Sequence, residues 1–79
     1  MKPKEIKPEH QALMIEIGKR IKKLRTEKNV GYIEIAKAMG ISRNAYNSIE
    51  LGNVYFSFSS LLLIANYHGV PISKLLKGL

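Results

Sequence analysis

Three glycines constrain this chain more than any other feature. Gly40, Gly52 and Gly69 each close a stretch in which apolar residues recur at helical spacing, and each is followed within a few residues by a helix-start signal: Ser42, Ser57 or Pro71. Glycine enters the left-handed conformation that ends a helix without steric penalty, a serine hydroxyl caps the next helix, and proline fits a first turn. Around these marks lie Ile35, Ala36 and Met39, then Ala45, Tyr46 and Ile49, then Phe58, Leu61, Leu62 and Ala65, and last Ile72, Leu75 and Leu76. Each set shares one helix face at about 100° per residue. Upstream, from Glu9 on, Leu13, Met14, Ile17, Ile21 and Leu24 form a further apolar stripe, which Asn29 and Gly31 bring to an end. The pattern predicts an all-α fold of five helices joined by short connections.

A chain of 79 residues holds one domain with a small core. Without cysteine or a Cys/His spacing suited to zinc, neither a disulfide nor a structural metal is expected to reinforce that core. Residues 1–8 contain Pro3, Pro8 and three lysines and read as a flexible basic arm, ahead of a domain over residues 9–79. No signal-peptide pattern follows the basic start, and the longest apolar run, residues 61–65, is far short of a membrane span. A soluble cytoplasmic protein with no membrane partner is the expectation. Lys and Arg outnumber Asp and Glu by 13 to 6, and the resulting charge of +7 favours a polyanionic partner. Catalysis lacks the residues it needs: His10 and His68 are isolated, and no glycine-rich phosphate loop is present. A non-enzyme without cofactor or metal follows.

The third helix, about residues 42–51, has an unusual polar face. Arg43, Asn44, Asn47 and Ser48 fall together, with no acidic residue among them. A surface helix normally interleaves Glu and Lys, whereas short amides are poor helix formers. They are good readers of base edges: Arg pairs with guanine O6/N7, and Asn with adenine N6/N7, in the major groove.

Residues 32–51, YIEIAKAMGISRNAYNSIEL, resemble the helix-turn-helix of the lambda-repressor-like (XRE/Cro-type) family through Ala36, Gly40 and the apolar Ile35, Met39, Ile41, Tyr46 and Ile49. IGKRIKKLRTEKNV before it is similar to the family's first helix, and SFSSLLLIANYHGVPISKLL to its last two. The resemblance implies a compact five-helix domain that binds operator DNA as a small transcriptional regulator, by repression, with the third helix in the major groove. Ala36 and Gly40 are then expected to let two helices approach closely. Base contacts would come from Arg43, Asn44, Asn47 and Ser48, the four that helical geometry also selects. Phosphate contacts would come from Tyr32, Ser42 and Asn53, and Arg25 and Glu50 would form an internal ion pair. At the start of the second helix the family's usual Ser-Gln is replaced by Gly31-Tyr32, so a phenol stands where an amide normally does.

One recognition helix covers only about four or five base pairs, a limit this kind of fold overcomes by pairing two copies on two half-sites. Val54, Tyr55, Phe56, Leu63 and Tyr67 supply apolar surface for a homodimer. The alternative is that the same surface serves protein interaction, as in an antitoxin bound to its toxin.

Overall fold

A computed structural model describes residues 5–79 and places five helices in them: α1 (Pro8–Glu27), α2 (Tyr32–Met39), α3 (Arg43–Leu51), α4 (Phe58–His68) and α5 (Ser73–Leu76). Residues 1–4 of the expected arm lie outside the described residues, and Pro8 is already the first residue of α1.

The first four helices end by one device. The residue after each helix, or the next one on, turns left-handed, at Asn29 (φ 58°), Gly40 (73°), Gly52 (70°) and Gly69 (68°). The N–H of the following residue then reaches back to a carbonyl of the last turn: Val30 to Arg25, Ile41 to Ala36, Asn53 to Ser48, and Val70 to Ala65, at 3.0–3.3 Å. This double closure satisfies carbonyls that a helix end leaves open, and normally carries an apolar contact with it. Val30, Ile41 and Val70 make that contact by packing on the core. Asn53, in the same position after α3, stays exposed. Serines start the two helices that follow Gly40 and Gly52. Ser42 Oγ accepts the Ala45 N–H at 3.0 Å and Ser57 Oγ accepts the Ser60 N–H at 3.1 Å, each cap being worth about 1 kcal/mol.

The core is a single cluster to which every helix contributes. Ile21, Ile35, Tyr46, Ile64 and Leu75, one from each helix, are its fully buried members. Burying such a side chain contributes about 1.5–3 kcal/mol. α1 runs along the middle, packed against α3, α4 and α5, while α2 packs on α3 and α4.

Two glycines bring backbones together, and Gly40, expected to do so, is not one of them. A methyl group on Gly18 of α1 would collide with the Glu50 carbonyl and stand 2.8 Å from the Ile49 carbonyl oxygen. One on Gly52 would stand 2.6 Å from the Ile15 α-carbon. A methyl group on Gly40 would meet nothing within 4 Å among the described residues, so what requires glycine there is the left-handed turn.

Three further corrections concern rotation about helix axes. In α4 the buried face is Leu61, Ile64, Ala65 and His68, while Phe58 and Leu62 are 59% and 39% exposed. α4 is apolar nearly all round, so its sequence gives no polar face from which to phase the helix. In α3, Ala45 is exposed rather than inward. In α1 the stripe runs through Met14, Ile17, Gly18, Ile21 and Leu24, with Leu13 on its exposed flank.

Candidate nucleic-acid interface

The site rests on a buried network between α1 and α3. Arg25 donates from Nε to Glu50 Oε2 at 2.6 Å, from Nη2 to Glu50 Oε1 at 3.1 Å, and from Nη1 to the Val30 carbonyl at 2.9 Å. The Tyr46 hydroxyl donates to the same Oε2. One guanidinium thus joins α1, the turn before α2 and the end of α3. The side chains of Arg25 and Glu50 are 12% and 5% exposed. The hydrogen bond to Glu50 raises the Arg25 pKa against partial desolvation. Burial first, then the bond to Glu50, pushes the Tyr46 phenol well above its usual range. Arg25 and Tyr46 are therefore held in their donor states, as a carboxylate in this setting requires. The Tyr46 hydroxyl is the member that sequence reading missed. Its signal was the spacing of four between Tyr46 and Glu50, which stacks them on one helix face.

With that network facing inward, the opposite face of α3 is presented outward. Arg43, Asn44 and Asn47 are exposed and Ser48 is half-buried. Among the described residues none of these four side chains makes a hydrogen bond or ion pair with the rest of the protein. Ser42 stands at the N-cap of α3, exposed, with its hydroxyl accepting one helix N–H and its own proton still available. Tyr32 opens α2 and is 42% exposed, and Gly31 before it caps no N–H with a side chain. Asn53 lies just past the left-handed Gly52, at the far end of α3. The molecule therefore offers one helix face rich in amide and guanidinium groups. The N-termini of α2 and α3, at Tyr32 and Arg43, leave first-turn N–H groups that carry partial positive charge. Among the described residues no three His, Asp or Glu side chains gather as metal ligands.

The linker differs from the reading of its sequence. Val54 and Phe56 are half-buried against the core. The Tyr55 hydroxyl accepts the Lys7 N–H at 3.1 Å and lies 2.7 Å from His10 Nδ1, so it ties the linker to the start of α1. A small core recruits nearby apolar groups, and Val54 and Phe56 are its recruits, while Tyr55 stays 37% exposed. α4 carries a group of exposed apolar side chains, Phe58, Leu62, Leu63 and Tyr67, the last two 50% and 39% exposed.

A family model described as a helix-turn-helix domain matches residues 18–79, from the glycine at the α1–α3 contact through α5. The chain belongs to the helix-turn-helix domain family. Relatives in this family include an uncharacterized HTH-type transcriptional regulator, YonR, derived from the SPbeta prophage of Bacillus subtilis (strain 168). It is 36% identical over 61 residues, covering 77% of this chain and 56% of its own length. The cryptic phage CTXphi transcriptional repressor RstR of Vibrio cholerae is 30% identical over 56 residues, covering 71% of this chain and 50% of its own. The chain spans between 31% and 56% of the curated relatives it matches. Among solved structures it is similar to the restriction-modification controller protein C.AhdI from Aeromonas hydrophila. That similarity has a TM-score of 0.77 and 25% identity, over 81% of this chain and 97% of that one. The all-helical, lambda-repressor-like architecture expected from the sequence is the helix-turn-helix fold found here.

Proposed function

We propose that this helix-turn-helix protein is a transcriptional regulator that binds double-stranded DNA sequence-specifically, with α3 in the major groove. The observation that carries the proposal is the outward face of α3. Three exposed hydrogen-bonding side chains, Arg43, Asn44 and Asn47, and the half-buried Ser48 have no partners among the described residues, on a helix whose other face is locked to α1. Arg43 and Asn44, in the first turn, read guanine and adenine, and Asn47 and Ser48 follow one turn on. Ser42 and Tyr32 meet the phosphates beside the helix N-termini, and Asn53 meets one at the other end. Bound across a promoter in the cytoplasm, the protein represses by occupancy. The similarity to an HTH-type transcriptional regulator and a phage transcriptional repressor supports this reading.

The working unit is a symmetric homodimer joined through α4. Apart from His68, α4 contains no ionisable group with a charge near neutral pH, and Leu63 points away from its buried face. A surface helix without a charged face is one that expects a partner. The same face favours a second reading, in which it holds a different protein, such as a toxin.

Selection of duplexes from a random pool, followed by sedimentation of the free and bound protein, tests both. Recovery of a palindromic site bound by two copies is the expected result. Failure to enrich any sequence overturns DNA reading, and a monomer both alone and on DNA leaves α4 to the second reading.

A further inference from the structure

A second charged surface lies away from α3. A groove runs between the C-terminal half of α1 and the turn into α5, and Arg20, Lys23, Lys74 and Lys77 line it around a floor of Leu24 and Pro71. Glu27 is the acidic member of the lining. Arg20 is held in place: its Nη1 donates to the Lys77 carbonyl at 2.5 Å and the Leu75 carbonyl at 3.4 Å, and Glu16 lies 3.8 Å from its Nε. A guanidinium fixed by three partners presents its remaining N–H groups in one direction, with little entropy left to lose on binding.

We infer that this groove docks an acidic segment of a partner protein, one carrying several Asp or Glu residues and an apolar side chain. Other occupants fit the surface less well. Gly18 marks the side of α1 that lies on α3, and Arg20, two residues on, is about 160° away around the helix. A duplex under α3 is therefore out of reach. A second copy related by a two-fold axis would bring this set of cations against itself. A phosphate track would have no use for the Glu27 carboxylate or the apolar floor. A peptide supplies N–H or lysine donors for the first and a side chain for the second. The proposal does not depend on the reading of α3.

The test uses a fluorescently labelled peptide rich in Asp and Glu with two leucines, followed by anisotropy at physiological salt and by amide chemical-shift mapping. Lys23→Glu/Lys74→Glu is compared with Lys19→Glu/Lys37→Glu, which changes net charge equally on exposed residues outside the groove. The expected result is shifts confined to the groove, a loss of about tenfold or more for the first pair, and less than about twofold for the second. A parent that does not bind the peptide overturns the inference. Equal losses for the two pairs overturn it too, since they reveal diffuse charge alone. A labelled random duplex, run in parallel, separates the sources: if it loses as much as the peptide does in the first pair, the groove is a phosphate contact.

Discussion

The α-carbon of Gly18 lies against the carbonyl of Glu50 with no space for a methyl group between them. This contact sets how deeply α3 sits on α1, and so how the Arg25–Glu50 pair meets. Alanine is the better helix former by about 1 kcal/mol, yet Gly18→Ala should destabilise the domain, because forced separation of packed backbones costs about 1–3 kcal/mol. Urea unfolding decides the sign: a stabilised variant would mean that the two helices separate without loss.

Removing one member of the buried network should be worse than losing a surface pair. Glu50→Gln leaves the Arg25 guanidinium without its counter-charge, a change of about 3–5 kcal/mol. Tyr46→Phe removes one donor to a carboxylate and should lower stability by about 1.5–3 kcal/mol. Thermal melts measure both. A Glu50→Gln protein that melts like the parent but binds selected DNA weakly would move Glu50 to the interface.

His68 makes stability depend on pH. It is buried at 6% exposure, and its Nε2 has no hydrogen-bond partner among the described residues. Desolvation first, then the charges of Lys28 and Arg25, lower its pKa from the ordinary value, with Glu50 opposing. A depressed folded-state pKa means the unfolded chain takes up the proton first. The associated stability is complete above the unfolded value of about 6.5 and is lost as pH falls through the folded one. Urea midpoints should therefore drop from neutral pH toward pH 5. A His68→Phe variant should lose that part of the slope, and an unchanged slope would place the titration elsewhere.

Base reading and phosphate contact separate cleanly at Arg43. Arg43→Ala should weaken binding to the selected site by about 1–3 kcal/mol and to random DNA far less, as should Asn44→Ala. An equal loss on both DNAs would assign Arg43 to a phosphate.

The α4 surface makes its own prediction. Leu63→Lys should leave the melting temperature nearly unchanged, since surface substitutions stay within about 0.5 kcal/mol. It should shift sedimentation from dimer to monomer at micromolar protein. A variant that dimerises as the parent does moves the interface off α4.

Helix boundaries were legible because Gly40, Gly52 and Gly69 act through their own backbone geometry, and Ser42 and Ser57 through a hydroxyl that accepts an N–H three residues on, neither of which needs tertiary context. The outward set on α3 was legible for a related reason, since that helix has one distinctly apolar side. α4 shows the converse: leucines on three sides leave packing against α1 and α2 to choose the rotation. The linker residues Val54 and Phe56 read as surface because nothing local to them reveals how much of the core remains unfilled. Gly18 offered a signal that went unused, a lone glycine inside a strong helical pattern, which implies close packing at that point.

The four side chains on the outer face of α3 form no part of the scaffold. The turn at Gly40 and the contact at Gly18 orient the helix through backbone atoms, the Ser42 hydroxyl caps it, and Tyr46, Ile49 and Glu50 anchor it from behind. Arg43, Asn44, Asn47 and Ser48 are thus interchangeable in a way their neighbours are not. With these four as the proposed base readers, a lineage of such chains drifts from one recognised sequence to another by single substitutions, each intermediate still folding, and the address evolves separately from the body that carries it.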